Sequence, residues 1–205
     1  MLHVLNQQHP GAVQGLLTTT NEAFDRVAMH GVRRSLVDTQ ARAARLPLHV
    51  VSLPWPCSNE AYEQRMGAAV REHVEAGFTH VAFGDLFLDD VRQYRESRLA
   101  GTGLEPLFPL WKPTSTAALA REMIAGGLDA RVTCVDPRRL DRSFAGRRFD
   151  AALLRDLPRD VDPCGENGEF HTFACAGPMF ETPIPVVPGD VVERDGFAFC
   201  DLQRR

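Results

Sequence analysis

The segment of this 205-residue sequence with the clearest potential for chemistry is 162–173, which reads D-P-C-G-E-N-G-E-F-H-T-F. The residues of interest in it are Gly165, Glu166, Gly168, Glu169, His171 and Thr172. Its glycines permit tight backbone turns and close approach of a ligand. Its two glutamates can bind a cation, orient an amine or act as general bases, and its histidine can transfer a proton. The alternative is a solvated turn that leads into a strand.

A second candidate segment is Phe83-Gly84-Asp85-Leu86, where a predicted strand ends. In open α/β sheets, ligands bind outside the carboxyl ends of the strands. Gly84 permits close approach there, and Asp85 can contact a hydroxyl, an amine or a metal. The alternative role of Asp85 is to cap the following helix.

Two further segments carry weaker signals. The polar residues of two segments can line a nucleotide pocket, or they can simply form turns. The segments are Thr18-Thr19-Thr20-Asn21 and Met29-His30-Gly31-Val32. Arg92, Arg95 and Arg98 share one helix face, where they can hold phosphate or carboxylate or form surface pairs with Asp89, Asp90 and Glu96. The sequence contains no H-E-x-x-H, G-x-S-x-G or Walker A motif.

These segments lie among short apolar runs that alternate with helical patterns. The predicted strands are Ala12–Thr19, Leu48–Leu53, Thr79–Phe83, Glu105–Phe108 and Ala130–Val135. The predicted helices are Arg33–Leu46, Asn59–Ala76, Asp85–Leu99, Ser115–Ala125 and Phe149–Leu157. The strands recur at about the spacing of a βαβ unit, and their lack of alternation is typical of parallel strands covered on both faces. We therefore expect an open, mostly parallel, doubly wound α/β sheet over residues 1–137.

The pattern changes after residue 137, where prolines interrupt the chain repeatedly. Gly168–Ala176 and Gly196–Leu202 are predicted to be strands. We expect residues 138–205 to form a small α+β appendage that packs on the strand ends and carries the substrate side of the site.

Composition narrows the class of protein. A net charge of −4 argues against a general nucleic-acid binder, and no apolar run reaches the roughly 18 residues of a membrane helix. The N-terminus lacks the pattern of a secretory signal. Five cysteines without C-x-x-C spacing argue against a zinc knuckle and favour a reducing cytoplasm.

Taken in order, the motifs resemble those of the diphthamide-synthase-type ATP-binding family, in the adenine-nucleotide α-hydrolase-like (PP-loop) group. The matching stretches are L-L-T-T-T-N-E at 16–22, A-M-H-G-V at 28–32, F-G-D-L at 83–86, P-L-F-P-L-W at 106–111 and G-E-N-G-E-F-H-T-F at 165–173. The last is the most specific. The resemblance implies a Rossmann-like fold of the α-hydrolase type.

The resemblance also implies an activity, which is ATP-dependent, AMP-forming amide synthesis. A carboxylate is activated as an acyl-adenylate, ammonia displaces AMP, and Mg²⁺ offsets the phosphate charge. Thr18, Thr19, Gly84 and Asp85 are then expected near the nucleotide. Gly165, Gly168 and Thr172 are expected to bind the substrate, and Glu166, Glu169 and His171 to be catalytic. The acceptor is a protein side chain or a small carboxylic acid.

The sequence departs from the family pattern in one respect. Family members open with a strand and a Ser-Gly-Gly-Lys-Asp-Ser type loop that holds the ATP phosphates, and no such loop occurs here. We expect the reading frame to extend upstream of Met1 by roughly 10–15 residues, enough for a strand and a tight loop. The alternatives are an adenine-nucleotide-binding module without catalysis and a truncated, inactive relative.

Overall fold

The computed structural model describes residues 1–205, which form six α-helices, one 3₁₀ helix and nine β-strands. The α-helices are α1 (Leu2–Gln8), α2 (Arg34–Ala43), α3 (Asn59–Glu75), α4 (Asp89–Leu99), α5 (Thr116–Ala125) and α6 (Ala151–Asp156). The strands are β1 (Leu16–Asn21), β2 (Arg26–Val27), β3 (Leu48–Leu53), β4 (His80–Ala82), β5 (Glu105–Leu107), β6 (Asp129–Val135), β7 (Phe170–Ala176), β8 (Val186–Arg194) and β9 (Phe197–Arg204). The 3₁₀ helix is Arg142–Phe144. No helix is both long and apolar enough to cross a membrane.

The strands form three separate sheets rather than one. β1 and β3 run parallel over six residue pairs, and β2 adds to the far edge of β1 in antiparallel fashion at Thr20 and Asn21. β4 and β5 form a parallel pair of three residues each. The third sheet is antiparallel, in the order β7-β6-β9-β8. The fold is therefore mixed α/β with some parallel pairing, and a single open, doubly wound sheet is not confirmed.

Two of the unpaired strand edges in the parallel sheets belong to β1 and β4, and the outer edges of β3 and β5 are unpaired as well. β1 is paired on the side away from β3 only at its last two residues, and β4 pairs only with β5. Both edges therefore expose ladder groups to which another strand can bind. The expected strand upstream of Met1 stays a prediction.

Strand β6 is the centre of the C-terminal sheet. The sequence pattern assigns it to the N-terminal parallel unit, but it pairs antiparallel with β7 and with β9. Five of its seven residues are buried. A strand that is buried on both faces is an apolar run in the sequence, whether its neighbouring strands are parallel or antiparallel. The sequence pattern therefore cannot distinguish parallel from antiparallel pairing of β6. The division of the chain at residue 137 stays a prediction.

The main core surrounds this antiparallel sheet. One buried cluster joins β6 to α5, α6 and the loop before β7, through residues that include Ala120, Val132, Val135, Phe144, Leu153 and Phe170. A second joins α2 to β7 and β9, through Val32, Leu36, Ala43, Phe173, Cys175, Cys200 and Leu202 among others. The third cluster, between β3 and α3, contains only Val51, Leu53 and Ala69 as buried residues. Helices from both halves of the chain thus cover the C-terminal sheet.

Polar contacts also hold the segment between β2 and α2 against this sheet. Asp201 of β9 accepts hydrogen bonds from the guanidinium groups of Arg26 (2.8 Å) and Arg33 (3.0 Å). Gly31 lies against the ring of Phe199, where a Cβ would stand 2.5 Å from a ring carbon. Only glycine fits at this contact, because its φ of +66° also lies in the left-handed region.

Candidate functional site

The structure brings two of the predicted segments together, the end of β4 and the loop that precedes β7. The backbone N–H of Leu86 donates a hydrogen bond to Oε1 of Glu166 at 2.7 Å. These residues lie 80 positions apart in the sequence. The contact joins the segment 83–87 to the segment 162–169, and together they form the candidate site.

The side chain of Asp162 holds the loop 162–169 through backbone N–H groups of the same loop. The carboxylate oxygen Oδ2 of Asp162 accepts the N–H groups of Cys164 (3.1 Å) and Glu166 (3.0 Å). Gly165 has a φ of +71°, and a Cβ there would stand 2.6 Å from the carbonyl oxygen of Phe170. A side chain at Gly165 would therefore displace the start of β7. Gly168 also has a positive φ, but its Cβ position faces open space.

The surroundings of Glu166 raise the pKa of its carboxyl above the ordinary value. Burial raises the pKa of Glu166, and the nearby carboxylates of Asp85 and Asp162 raise it further. Hydrogen bonds from the N–H groups of Leu86 and Phe87 oppose this rise, because they stabilise the carboxylate. A glutamate whose pKa moves toward neutrality is suited to proton transfer.

Glu169 has a different environment, because its side chain is completely buried. Its Oε1 accepts hydrogen bonds from the backbone N–H of Asp162 and from Nδ2 of Asn167, both at 3.0 Å. The guanidinium of Arg139 lies 3.7 Å from the same oxygen, whereas Oε2 has no hydrogen-bond partner. In this arrangement Glu169 ties the two ends of the loop together.

Asp85 and Gly84 lie beside Glu166 at the end of β4. Both carboxylate oxygens of Asp85 accept hydrogen bonds from Arg95, at 2.6 and 3.0 Å, and this guanidinium stacks over the ring of Phe83. Asp85 does not cap a helix, since α4 begins at Asp89. A Cβ at Gly84 would meet no atom within 4 Å, so the space beside this glycine is open.

His171 belongs to a second cluster. Its ring lies 4.6 Å from that of His30, measured between centroids, and the backbone of Thr172 forms a hydrogen bond with His30. Burial lowers the pKa of His171 to about 4, with a further contribution from His30. Burial also lowers the pKa of His30. Both imidazoles are therefore neutral at physiological pH.

Thr18 and Thr19 lie within β1, opposite Val50 and Val51 of β3. The carbonyl of Thr19 accepts the N–H of Ala28 at 3.2 Å, which connects β1 to the segment that carries His30. No hydrogen bond links the side chains of these threonines to the Glu166 cluster. The residues that the sequence predicts to bind a nucleotide thus form two separate groups. Thr18 and Thr19 lie in β1, and Gly84 and Asp85 lie after β4.

Two contacts of the site are absent from the sequence prediction. Arg139 beside Glu169 and the pairing of His30 with His171 have no local sequence signal, because they depend on how distant segments fold. The arginine face of α4 is only partly as expected. Arg92 pairs with Glu96 as predicted, but Arg95 binds Asp85 and Arg98 binds Glu63.

The residues of the site do not form a ready Mg²⁺ site. No group of three or more His, Cys, Asp or Glu side chains has the arrangement that holds a metal ion. Asp85, the predicted candidate, already has both oxygens bound by Arg95. These residues therefore do not fit a bound Mg²⁺ ion.

Comparison with known proteins shows what the chain is similar to. The family model of the diphthamide synthase C-terminal domain matches residues 115–205. The chain is 30% identical to the diphthine–ammonia ligase of Schizosaccharomyces pombe over 105 residues, which are 49% of this chain and 17% of that protein. It is 29% identical to the human diphthine–ammonia ligase over 148 residues, which are 70% of this chain and 54% of the human protein.

The Danio rerio diphthine–ammonia ligase is 26% identical over 200 residues, which are 89% of this chain and 77% of that protein. The C-terminal part of the chain is thus similar to the diphthamide synthase C-terminal domain, and the longer matches are to diphthine–ammonia ligases. The match to the yeast and human relatives spans much less than their full length, about one sixth and one half.

Proposed function

We propose that this protein is an ATP-dependent, AMP-forming amide ligase of the diphthine–ammonia ligase type. A carboxylate oxygen of the acceptor attacks the α-phosphorus of ATP and forms a new P–O bond. The bond from the α-phosphorus to the oxygen that bridges to the β-phosphorus breaks, and pyrophosphate leaves with that oxygen. Ammonia then attacks the acyl carbon, AMP leaves with the original carboxylate oxygen, and the amide nitrogen loses its extra proton. The relatives named diphthine–ammonia ligase support this class of reaction.

The observation that carries the proposal is the hydrogen bond from the Leu86 N–H to Glu166. It joins the most specific motif of the sequence to a parallel strand end, the kind of place where α/β proteins bind ligands. A solvated surface turn without a function would not need a hydrogen bond to the end of β4. The raised pKa of Glu166 supports a role in proton transfer at the same place.

The residues take separate roles in this proposal. Glu166 accepts the proton that the attacking nitrogen loses. Glu169 is a positioning residue that keeps the loop 162–169 in shape, and Gly165 and Gly168 give this loop its turns. Thr172 and His171 lie on the acceptor side, where neutral His171 accepts or donates a hydrogen bond.

The nucleotide side is formed by Gly84 and Asp85 at the end of β4, with Thr18 and Thr19 in β1. ATP is the cofactor of the proposed reaction. We also propose a cytoplasmic location, which is supported by five cysteines that are all free.

The test is product analysis. The protein is incubated with ATP, Mg²⁺ as the counter-ion of ATP, ammonium and a set of carboxylates, and AMP and pyrophosphate are quantified. We expect both products in equal amounts, dependent on the carboxylate. Glu166→Gln is expected to reduce turnover by about 10²-fold or more without changing the unfolding temperature. Glu122→Gln, on the exposed face of α5, is the matched control. Release of orthophosphate alone would contradict the proposal.

A second candidate is an adenine-nucleotide-binding module without catalysis. It is favoured by the absence of a glycine-rich phosphate loop from residues 1–205. Calorimetry distinguishes the two. A binding module is expected to bind AMP and ATP with similar affinity and to form no product, whereas a ligase is expected to prefer ATP.

A further inference from the structure

Arg95 of α4 forms an ion pair with Asp85 beside the candidate site. Its Nε and Nη2 atoms donate hydrogen bonds to the two carboxylate oxygens of Asp85, at 2.6 and 3.0 Å. The side chain of Asp85 is only 13% exposed, so water screens this pair less than a surface pair. The guanidinium also stacks over the ring of Phe83, at 4.4 Å from the ring centre. This stacking orients the guanidinium plane, so that its two donors face Asp85.

The segment 83–88, which contains Asp85, has no regular secondary structure. Its backbone is held at Phe83, whose N–H binds the carbonyl of Leu107 at 2.8 Å, and at Leu86, whose carbonyl accepts the N–H of Lys112 at 2.7 Å. Arg95 is the only hydrogen-bond donor to the carboxylate of Asp85. The direction of the Asp85 side chain therefore depends on Arg95.

The N–H groups that follow Asp85 bind another carboxylate, that of Glu166. The N–H of Leu86 donates to it at 2.7 Å, and the N–H of Phe87 also forms a hydrogen bond with it. An aspartate commonly accepts the N–H of the residue two positions further on, which for Asp85 is Phe87. Asp85 is therefore a competitor of Glu166 for these N–H groups. Asp162, the other carboxylate near Glu166, accepts N–H groups of its own loop instead.

We infer that Arg95 is a positioning residue, which holds the Asp85 carboxylate away from the N–H groups of Leu86 and Phe87 and so leaves them for Glu166. Arg95 does this in two ways. It occupies both oxygens of Asp85, and its positive charge offsets the repulsion between the carboxylates of Asp85 and Glu166. For the reaction, the inference rests on the proposed function, in which Glu166 accepts the proton.

Hydrogen exchange at the Leu86 N–H tests the inference, measured by NMR on the complete 205-residue chain without substrates. Arg95→Met removes the charge and both donors but keeps an unbranched side chain over Phe83. We expect it to accelerate exchange at Leu86 by about 10-fold or more, which is the effect of losing one hydrogen bond to a carboxylate. Arg95→Lys keeps the charge but loses the paired donors, and we expect a smaller acceleration.

The matched control is Arg92→Met, three positions earlier on α4. The guanidinium of Arg92 stacks over the rings of Phe108 and Trp111 and pairs with Glu96. Its removal therefore deletes the same kinds of contact from the same helix without touching Asp85. We expect exchange at the Leu86 N–H to stay at the wild-type rate in this control.

A double variant separates this positioning role from a general stiffening of the segment 83–88. In Asp85→Ala/Arg95→Met the competing carboxylate is absent, so Glu166 should keep the Leu86 N–H and exchange should return close to the wild-type rate. If Arg95 only stiffens the segment, the double variant should exchange at least as fast as Arg95→Met. Thermal unfolding confirms that each variant is folded. The inference is overturned if Arg95→Met causes no acceleration, if Arg92→Met causes an equal one, or if the double variant is not slower than Arg95→Met.

The titration of the Glu166 carboxyl, followed by ¹³C NMR, is a second readout. In Arg95→Met the uncompensated charge of Asp85 and the loss of N–H donors should both raise the pKa of Glu166 further. In the double variant the pKa of Glu166 should lie below that in Arg95→Met, because the Asp85 charge is absent. The same pKa of Glu166 in the two variants would contradict the inference.

These measurements need no ligase reaction. If exchange and titration follow the expected pattern but no AMP and pyrophosphate form with any carboxylate, the positioning role of Arg95 holds and the proposed function is wrong. If both products form and Arg95→Met changes neither kcat nor the exchange at Leu86, the proposed function holds and the positioning role is wrong.

Discussion

Replacing Glu169 tests whether this buried carboxylate holds the candidate site together. Glu169→Ala removes the acceptor of two hydrogen bonds, from the N–H of Asp162 and from Nδ2 of Asn167. A hydrogen bond to a charged group contributes about 1.5–3 kcal/mol. Asn167 is exposed and can turn to water, so we count mainly the backbone donor and the void left by the side chain. The expected loss in the free energy of unfolding is about 2–4 kcal/mol.

Glu169→Gln gives the contrasting result. The amide oxygen still accepts the same two hydrogen bonds, and its NH₂ group replaces Oε2, which has no hydrogen-bond partner. Only the charge facing Arg139 at 3.7 Å is lost. The NH₂ group finds no acceptor in this buried position, so we expect Glu169→Gln to lose about 1–2 kcal/mol, less than Glu169→Ala, and to keep the loop folded.

Urea unfolding at pH 7 measures both variants, with Glu122→Ala on exposed helix α5 as a control that is expected to stay within about 0.5 kcal/mol of the wild type. Hydrogen exchange at the Asp162 N–H reports the loop directly, and should accelerate in Glu169→Ala alone. If Glu169→Ala is as stable as the wild type, or if both variants lose the same stability, the hydrogen-bond argument is wrong.

Three more predictions concern other contacts of the site. The pKa of His171 is about 4 in the folded protein, against an ordinary value of 6.5, so the unfolded chain binds a proton at a higher pH than the folded protein does. The free energy of unfolding should therefore fall as the pH is lowered from 6.5 to 4, and it should fall less in His171→Ala. Urea unfolding across that pH range measures both. Gly165→Ala should lower the free energy of unfolding by at least about 3 kcal/mol, because backbone strain and a clash with the backbone add together. Gly168→Ala should lower it by only roughly 1–2 kcal/mol, which is the effect of its positive φ alone. Similar shifts in the thermal unfolding temperatures of the two variants would contradict this prediction. Asp201→Asn should lose about 1–2 kcal/mol at low salt and less at high salt, measured by urea unfolding, and a loss independent of salt would exclude an electrostatic cause.

Most of the individual elements could be predicted from the sequence because each has a local cause. β3 is found at Leu48–Leu53 as predicted. Helix α3 starts at Asn59 because the hydroxyl of Ser58 caps the N–H of Ala61. The sheets could not be predicted, since strand pairing depends on partners far away in sequence, as for β6 between β7 and β9.

The elements that were not predicted have weak local signals. Strand β8 contains Pro188, which indicates a break when the sequence is considered alone. In the structure β8 is the edge strand of its sheet and Pro188 adjoins a register shift, two places where a strand tolerates proline. Helix α1 is short and has no side-chain cap, and β2 has two residues.

The candidate site shows the same limit at the level of single residues. Glu166 and Glu169 have the same side chain and lie three positions apart, so the sequence assigns them the same chemistry. The turn of the loop at Gly168 separates them. Glu166 reaches the end of β4, partly exposed, where burial and neighbouring carboxylates raise its pKa. Glu169 points into the protein, where its surroundings offer it N–H donors. Because environment decides which carboxylate can exchange protons with a ligand, we propose the proton-transfer role for Glu166 and a positioning role for Glu169.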